Sequence, residues 1–211
     1  MVRLLYRALE INLYPRETGR DASAAKVLQL LVGLRPIYAQ AAQRGKQTEH
    51  LCAAICNMSS IFGEAEMDML MLGSPQALQL VDLQLQCSRH PNQNIVLQSL
   101  EFWHVLQDRP VLKRHPQLRE TVFVHLLNTL VGQMAYPKNF SSWERNTGDQ
   151  DRDGFNRFRD IIWETLQIIQ SLLKAKFLSL MLAGLKATGR PLVACVWGWH
   201  LLFSFTFELY I

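Results

Sequence analysis

The stretch Ser74–Leu106, SPQALQLVDLQLQCSRHPNQNIVLQSLEFWHVL, decides the fold. It reads as two antiparallel helices joined by a tight turn at His90-Pro91-Asn92. Ser74 is a good N-cap, because its hydroxyl accepts from an otherwise orphaned first-turn amide. Pro75 fits the first helical position, where a missing N–H costs nothing. The first helix is apolar on two flanks. Ala77, Leu78, Val81 and Leu85 form one; Leu80, Leu83 and Cys87 form the other. Only a strip around Gln79, Asp82, Gln86 and Arg89 is polar. A helix with one apolar stripe lies on a core from outside. One apolar on both flanks is held between neighbours, as in a stacked helical repeat. The partner helix carries Ile95, Phe102, Trp103 and Leu106 on one side. Exposed aromatics anchor peptide partners, but at helical spacing beside Ile95 and Leu106 this pair is expected to be interhelix core.

Working outward, the same periodicity predicts further helices. One spans Val2 to Tyr14 and stops at Pro15. Asp21 is expected to cap a longer one reaching about Gln43, with Val27, Leu31, Leu34 and Tyr38 on one face and kinks at Gly33 and Pro36. The next runs from about Gln47 to Phe62, with Leu51, Ile55, Met58 and Phe62 inward. Another covers about Pro116 to Gln133, with Val122, Phe123, Leu126, Leu127 and Leu130. Ala135–Asp153 is polar and aperiodic, which predicts a loop. From Gly154 to Leu173, Phe155, Phe158, Ile162, Leu166, Ile169 and Leu173 form a stripe, and Ile161, Ile168 and Leu172 a second flank. No strand alternation appears before the C-terminal tail. Helix pairs recur at roughly 40–50 residues, the range of HEAT-like repeats. The expectation is an all-α chain, an α-solenoid of HEAT/armadillo-like antiparallel helix pairs over residues 1–175. An irregular helical bundle is the alternative.

Three segments share a family resemblance. CSRHPNQNIVLQSLEFWHVL (87–106) resembles a repeat inside importin-β-type nuclear transport receptors, in the branch of transportin-SR and importin-thirteen. There, a helix ends in a His-Pro turn and the next carries an aromatic pair like Phe102-Trp103. LCAAICNMSSIFGEAEM (51–67) resembles the helix before this pair, and DGFNRFRDIIWETLQII (153–169) the helix after an acidic loop. The resemblance covers residues 20 to 175 and rests on the order and spacing of packing patterns. It implies a non-enzymatic carrier that moves protein cargo between cytoplasm and nucleus. Curved stacked helix pairs would hold the cargo, and GTP-loaded Ran would release it. Cargo, Ran and, at the pore, nucleoporins are the implied partners, with no cofactor. The family's Ran-contacting N-terminal repeats and its C-terminal repeats are not expected among these residues, and no family binding residue maps onto a motif of this chain. A generic HEAT scaffold or adaptor is the second reading.

The chain has 211 residues, 49% hydrophobic and 19% charged, enough to bury a core and too apolar for a disordered chain. The net charge is +4, a departure from the acidic receptors it resembles. The Lys and Arg residues are dispersed, with no dense basic run, so direct nucleic-acid binding is not expected. Cys52, Cys56, Cys87 and Cys195 are scattered, which suggests reduced thiols rather than a disulfide framework. The N-terminus lacks a secretory pattern, since Arg7, Glu10 and Asn12 break its apolar run.

Residues 176–211 read as an atypical apolar tail. From Pro191 to Phe207 there is no Asp, Glu, Lys or Arg, though His200 sits inside. The run is shorter than the roughly 20 residues a membrane span needs and contains Pro191 and Gly198. It reads as an ending foreign to the repeats, such as an alternative exon. A tail anchor and a buried terminal segment are the other readings.

No catalytic, cofactor-binding or metal site is expected. The sharpest motif is Asp149-Gln150-Asp151-Arg152-Asp153-Gly154, continuing to Asp160, which matches the carboxylate and Gly spacing of an EF-hand loop. Asp160 is short for the bidentate position, and Asn156 stands where an apolar residue pairs with a second loop. The preferred reading is an acidic loop whose Asp153 caps the next helix. His50, His90, His104, His115, His125 and His200 form no ligand cluster, and Cys52 and Cys56 read as packed core thiols. There is no phosphate loop and no nucleophile elbow, so an enzyme is not expected. Glu64, Glu66 and Asp68 are expected to end a helix as a solvated acidic face, with basic cargo as the functional alternative.

Overall fold

The computed structural model describes residues 20–135, 142, 145 and 148–187. The expected helix at Val2–Tyr14, and the tail from residue 188 with Cys195 and His200, lie outside them. The described residues are all-α. The helices are α1 (Arg20–Gly33), α2 (Arg35–Gln43), α3 (Glu49–Leu70), α4 (Pro75–Ser88), α5 (Gln93–Asp108), α6 (Glu120–Gln133), α7 (Asp149–Leu173) and α8 (Ala175–Ala187). Short 3₁₀ turns stand at Gly45–Thr48, Val111–Lys113 and Pro116–Leu118.

The helices fall into two layers. α1, α4, α6 and α8 pack side by side in one; α3, α5 and α7 pack in the other, with α3 against α5 as the most extensive seam. Chain neighbours α4 and α5, and α6 and α7, join the layers. Each helix therefore meets partners close in sequence.

The α4–α5 hairpin forms as its sequence dictates. The Ala77 amide donates to the Ser74 hydroxyl at 3.2 Å. Both flanks of α4 are buried except for half-buried Leu78, and its strip at Gln79, Asp82, Gln86 and Arg89 is exposed or half-buried. Phe102 and Trp103 are fully buried, edge to face at 5.1 Å. The break between α1 and α2 falls at Leu34, beside Gly33 and one residue before Arg35-Pro36. Proline has no N–H for the preceding turn and cannot carry the helix through.

Other boundaries move. Asp21 lies inside α1 and not before it. α3 begins at Glu49 and overruns Phe62 to Leu70, because Met67 and Leu70 extend the buried face. A kink at Glu66 (φ −122°, ψ 28°) adjusts its course. Its inward face is also turned from the expected one. Leu51 is 37% exposed and Met58 only half-buried, whereas Cys52, Cys56, Ser59 and Gly63 point inward with Ile55 and Phe62. Small residues let the two helices approach closely. A Cβ on Gly63 would stand 2.3 Å from Cδ2 of Phe102. Pro116 opens a 3₁₀ turn, and α6 proper starts at Glu120. α7 begins five residues earlier than expected, at Asp149. The segment assigned to the tail from residue 176 starts as helix α8, with Phe177 and Met181 buried against the core.

Hydrogen bonds tie the connections together along two edges. On one, the Asn92 amide donates to His90 Nδ1 at 3.0 Å, and Asn92 Nδ2 donates to Glu49 Oε2 at 2.9 Å. Gln133 Nε2 donates to the His90 carbonyl at 3.2 Å. On the other, the His115 amide donates to the Met71 carbonyl at 2.7 Å.

Candidate functional surface

The EF-hand reading fails on backbone geometry. Asp149 through Gly154 form the first turns of α7, so their carboxylates radiate around a helix and do not converge on one point. Asp149 is also engaged by Arg152 in an ion pair. The acidic helix start does stand, since Asp149 and Asp151 lie in the first turn, where the helix dipole favours negative charge. The cap position is Gly148, however, and not Asp153.

Cys52 and Cys56 are buried core thiols as expected, and Cys87 from α4 joins them. Cys56 Sγ lies 3.6 Å from the Ile95 carbonyl, as a weak donor. Burial pushes the Cys87 thiol well up, and pushes Cys52 up with Cys87 and Glu49 adding to it. The Tyr38 hydroxyl, itself raised by burial, donates to the Gln86 carbonyl at 3.4 Å. These are unreactive thiols. Among the described residues no group of three or more His, Cys, Asp and Glu side chains is placed to hold a metal ion. The histidines are dispersed: His50 and His125 are exposed, His104 and His115 half-buried, and His90 buried.

The sequence reading missed a connected set of buried polar groups. Gln84 Nε2 donates to Ser59 Oγ at 2.8 Å, and Ser60 Oγ donates to Gln84 Oε1 at 3.4 Å. Ser88 and Ser99 share a hydroxyl hydrogen bond of 2.7 Å, and Trp103 Nε1 donates to Ser88 Oγ at 3.0 Å. Isolated serines in helices carry no periodic signal, so only the packing exposes this thread.

The surface with the most distinct chemistry is carried by α3 and α5. Neither helix contains a Lys or Arg, and they hold Glu49, Glu64, Glu66, Asp68, Glu101 and Asp108. In a chain of net charge +4 this is charge segregation. The signal was present in the sequence as the absence of Lys and Arg from Gln47 to Ser88. Glu64, Glu66 and Asp68 flank the break at Glu66 and run into the last turn of α3, so they stand at a helix end as expected. Burial first, and the facing Glu101 second, raise the Glu64 carboxyl above its ordinary range. His104 Nδ1 lies 3.9 Å from Glu101, and its Nε2 is 3.1 Å from the Thr165 hydroxyl, which ties α5 to α7. Half-buried Leu97 and Val105 on α5 and Ile161 and Trp163 on α7 belong to the same layer. Such a surface attracts a basic segment and supplies apolar contact for it. Among the described residues no helix is long and apolar enough to cross a membrane.

The chain matches no protein-family model, no curated protein and no solved structure.

Proposed function

We propose that this chain is part of a HEAT-type solenoid that carries protein cargo by non-enzymatic contact, in the manner of the importin-β-type receptors it resembles. Cargo with a basic segment docks on the acidic layer of α3 and α5, and movement between cytoplasm and nucleus follows from a Ran-regulated change of curvature in the longer array. The observation that carries this reading is the acidic layer in a basic chain. The near-neighbour, two-layer packing is compatible with stacked helix pairs, and the Phe102-Trp103 hairpin lies where the family resemblance is strongest.

The test has two parts. Small-angle scattering should give a radius of gyration above the roughly 17 Å of a compact globule of this length. Binding to immobilised nucleoporin segments should then separate carrier from scaffold. An elongated chain that binds nucleoporin segments supports a carrier. An elongated chain that binds no nucleoporin segment, yet binds a basic peptide, supports the generic scaffold. A compact particle refutes both.

A further inference from the structure

The α5–α6 connection is more elaborate than a link requires. Arg114 is 2% exposed, and no carboxylate pairs with it. Its Nη2 donates to the Gln107 carbonyl at 2.7 Å and to the Arg109 carbonyl, and its Nε to the Arg109 carbonyl at 3.0 Å. The guanidinium lies 5.7 Å over the Phe123 ring, and Nη1 is buried without a partner. Burying a cation against carbonyls and a ring is costly, and a plain connection needs no such residue. Arg119 adds two more restraints, donating from Nε to the Arg114 carbonyl at 2.9 Å and from Nη2 to the Leu112 carbonyl at 3.3 Å. The α3–α4 connection is locked onto the same edge. Gly73 has φ +73° and lies against the His115 ring, where a Cβ would meet Cγ at 2.2 Å.

This framework displays apolar side chains to solvent. Leu112 is 87% exposed, Leu72 71% and Val111 42%, three of the seven large apolar side chains exposed among the described residues. Their surroundings are positive. Lys113 is exposed and forms no ion pair, and Arg119 is half-buried. Two nearby carboxylates are already engaged, Asp68 by Arg109 at 3.7 Å and Glu120 by Lys176 at 2.5 Å. Asp108, the last residue of α5, is a nearby carboxylate in no ion pair among the described residues. The patch does not depend on the carrier reading.

We propose that Leu72, Val111 and Leu112, flanked by Lys113 and Arg119, form a docking patch for an acidic segment of a partner protein that bears leucine-sized apolar side chains. The occupant follows from complementarity: apolar anchors enter between the exposed leucines, and carboxylates meet the unpaired cations. Preorganisation by Arg114 and Arg119 lowers the ordering cost of binding.

Fluorescence anisotropy with a labelled peptide of repeated Glu-Glu-Leu units, against a matched Lys-Lys-Leu peptide, tests this on the full chain. The acidic peptide should bind at least about tenfold more tightly than the basic one. Leu112→Asp and Lys113→Glu should each weaken it by about the same factor without lowering the melting temperature, since both sites are exposed. Glu101→Gln should leave it unchanged. Equal affinity for the two peptides, no binding of the acidic one, or indifference to Leu112→Asp overturns the proposal. So does a concentration-dependent dimer that Leu112→Asp dissociates, which would make a second copy the occupant.

Discussion

The two halves of the described helices are filled differently. Where α3, α4 and α5 meet, the interior holds Ser59, Ser60, Gln84, Ser88 and Ser99 beside three thiols, and the hydroxyls and the amide satisfy one another or nearby carbonyls. Where α6, α7 and α8 meet, the interior is Phe123, Leu126, Leu127, Leu130, Phe158, Ile162, Leu166, Phe177 and Met181, with Thr165 and Arg159 as buried polar residues. Directional bonds hold their partners in one register, because a shift that keeps apolar burial still breaks them. Aliphatic ridges accept small shifts and volume-conserving replacements at little cost. The first half is built to be fixed, and the second to be adjustable.

Removing Trp103 strikes this contrast hardest. Trp103→Ala should cost about 3–5 kcal/mol by urea unfolding, from the cavity and the lost bond to Ser88. Leu166→Ala in the apolar half should cost about 2–5 kcal/mol from its cavity alone. If Trp103→Ala is the milder of the two, the polar thread adds nothing. The glycines give opposite signs. Gly63→Ala forces a methyl into the Phe102 ring and should destabilise by about 1–3 kcal/mol. Gly132→Ala in α6 meets nothing within 4 Å and should stabilise by about 0.4–1 kcal/mol. Equal effects would remove the distinction between a close seam and a loose one. Gln84→Met should cost about 1 kcal/mol, because Ser59 and Ser60 keep their carbonyl partners at 2.8 and 3.1 Å. Amide exchange on α3 should rise with it. A stabilised variant would show that the network is a burden.

The smallest effect is one of pH. Burial lowers the His90 pKa in the fold, with Glu49 opposing. Below about 6.5 the unfolded chain takes up this proton before the folded one does. Stability from this residue is therefore whole above that pH and falls as pH drops toward the depressed folded value. Glu64, raised in the fold, acts in the opposite direction near its own range. Denaturation midpoints at pH 7.5 and 5.5, compared between the natural chain and His90→Gln, isolate the histidine. Parallel profiles would remove it as the cause.

The Ser74 cap, the His90 turn and the α7 stripe were legible in the sequence because each is local or periodic. Phe158, Ile162, Leu166 and Ile169 recur every three or four residues and bury together. The phase of α3 was not legible. Leu51 and Met58 outrank Cys52 and Ser59 in hydrophobicity, yet a tight seam selects for small size. The loop expected up to Asp153 failed because a run of acids suits the first turns of a helix as well as a loop. Nothing local marks Arg114 for burial, since its partners are carbonyls and a ring. The acidic layer was legible in part through Glu64, Glu66 and Asp68, and its extent lay in the absence of Lys and Arg from Gln47 to Ser88.

The three thiols around Tyr38 add a consequence for measurement. Raised and sealed between α3 and α4, Cys52 and Cys87 resist alkylation while that seam is shut. With Cys195 replaced by serine, the rate of maleimide incorporation becomes a stopwatch for the opening of the first half. A mass spectrometer can then time how often the molecule breathes, with no label added beforehand.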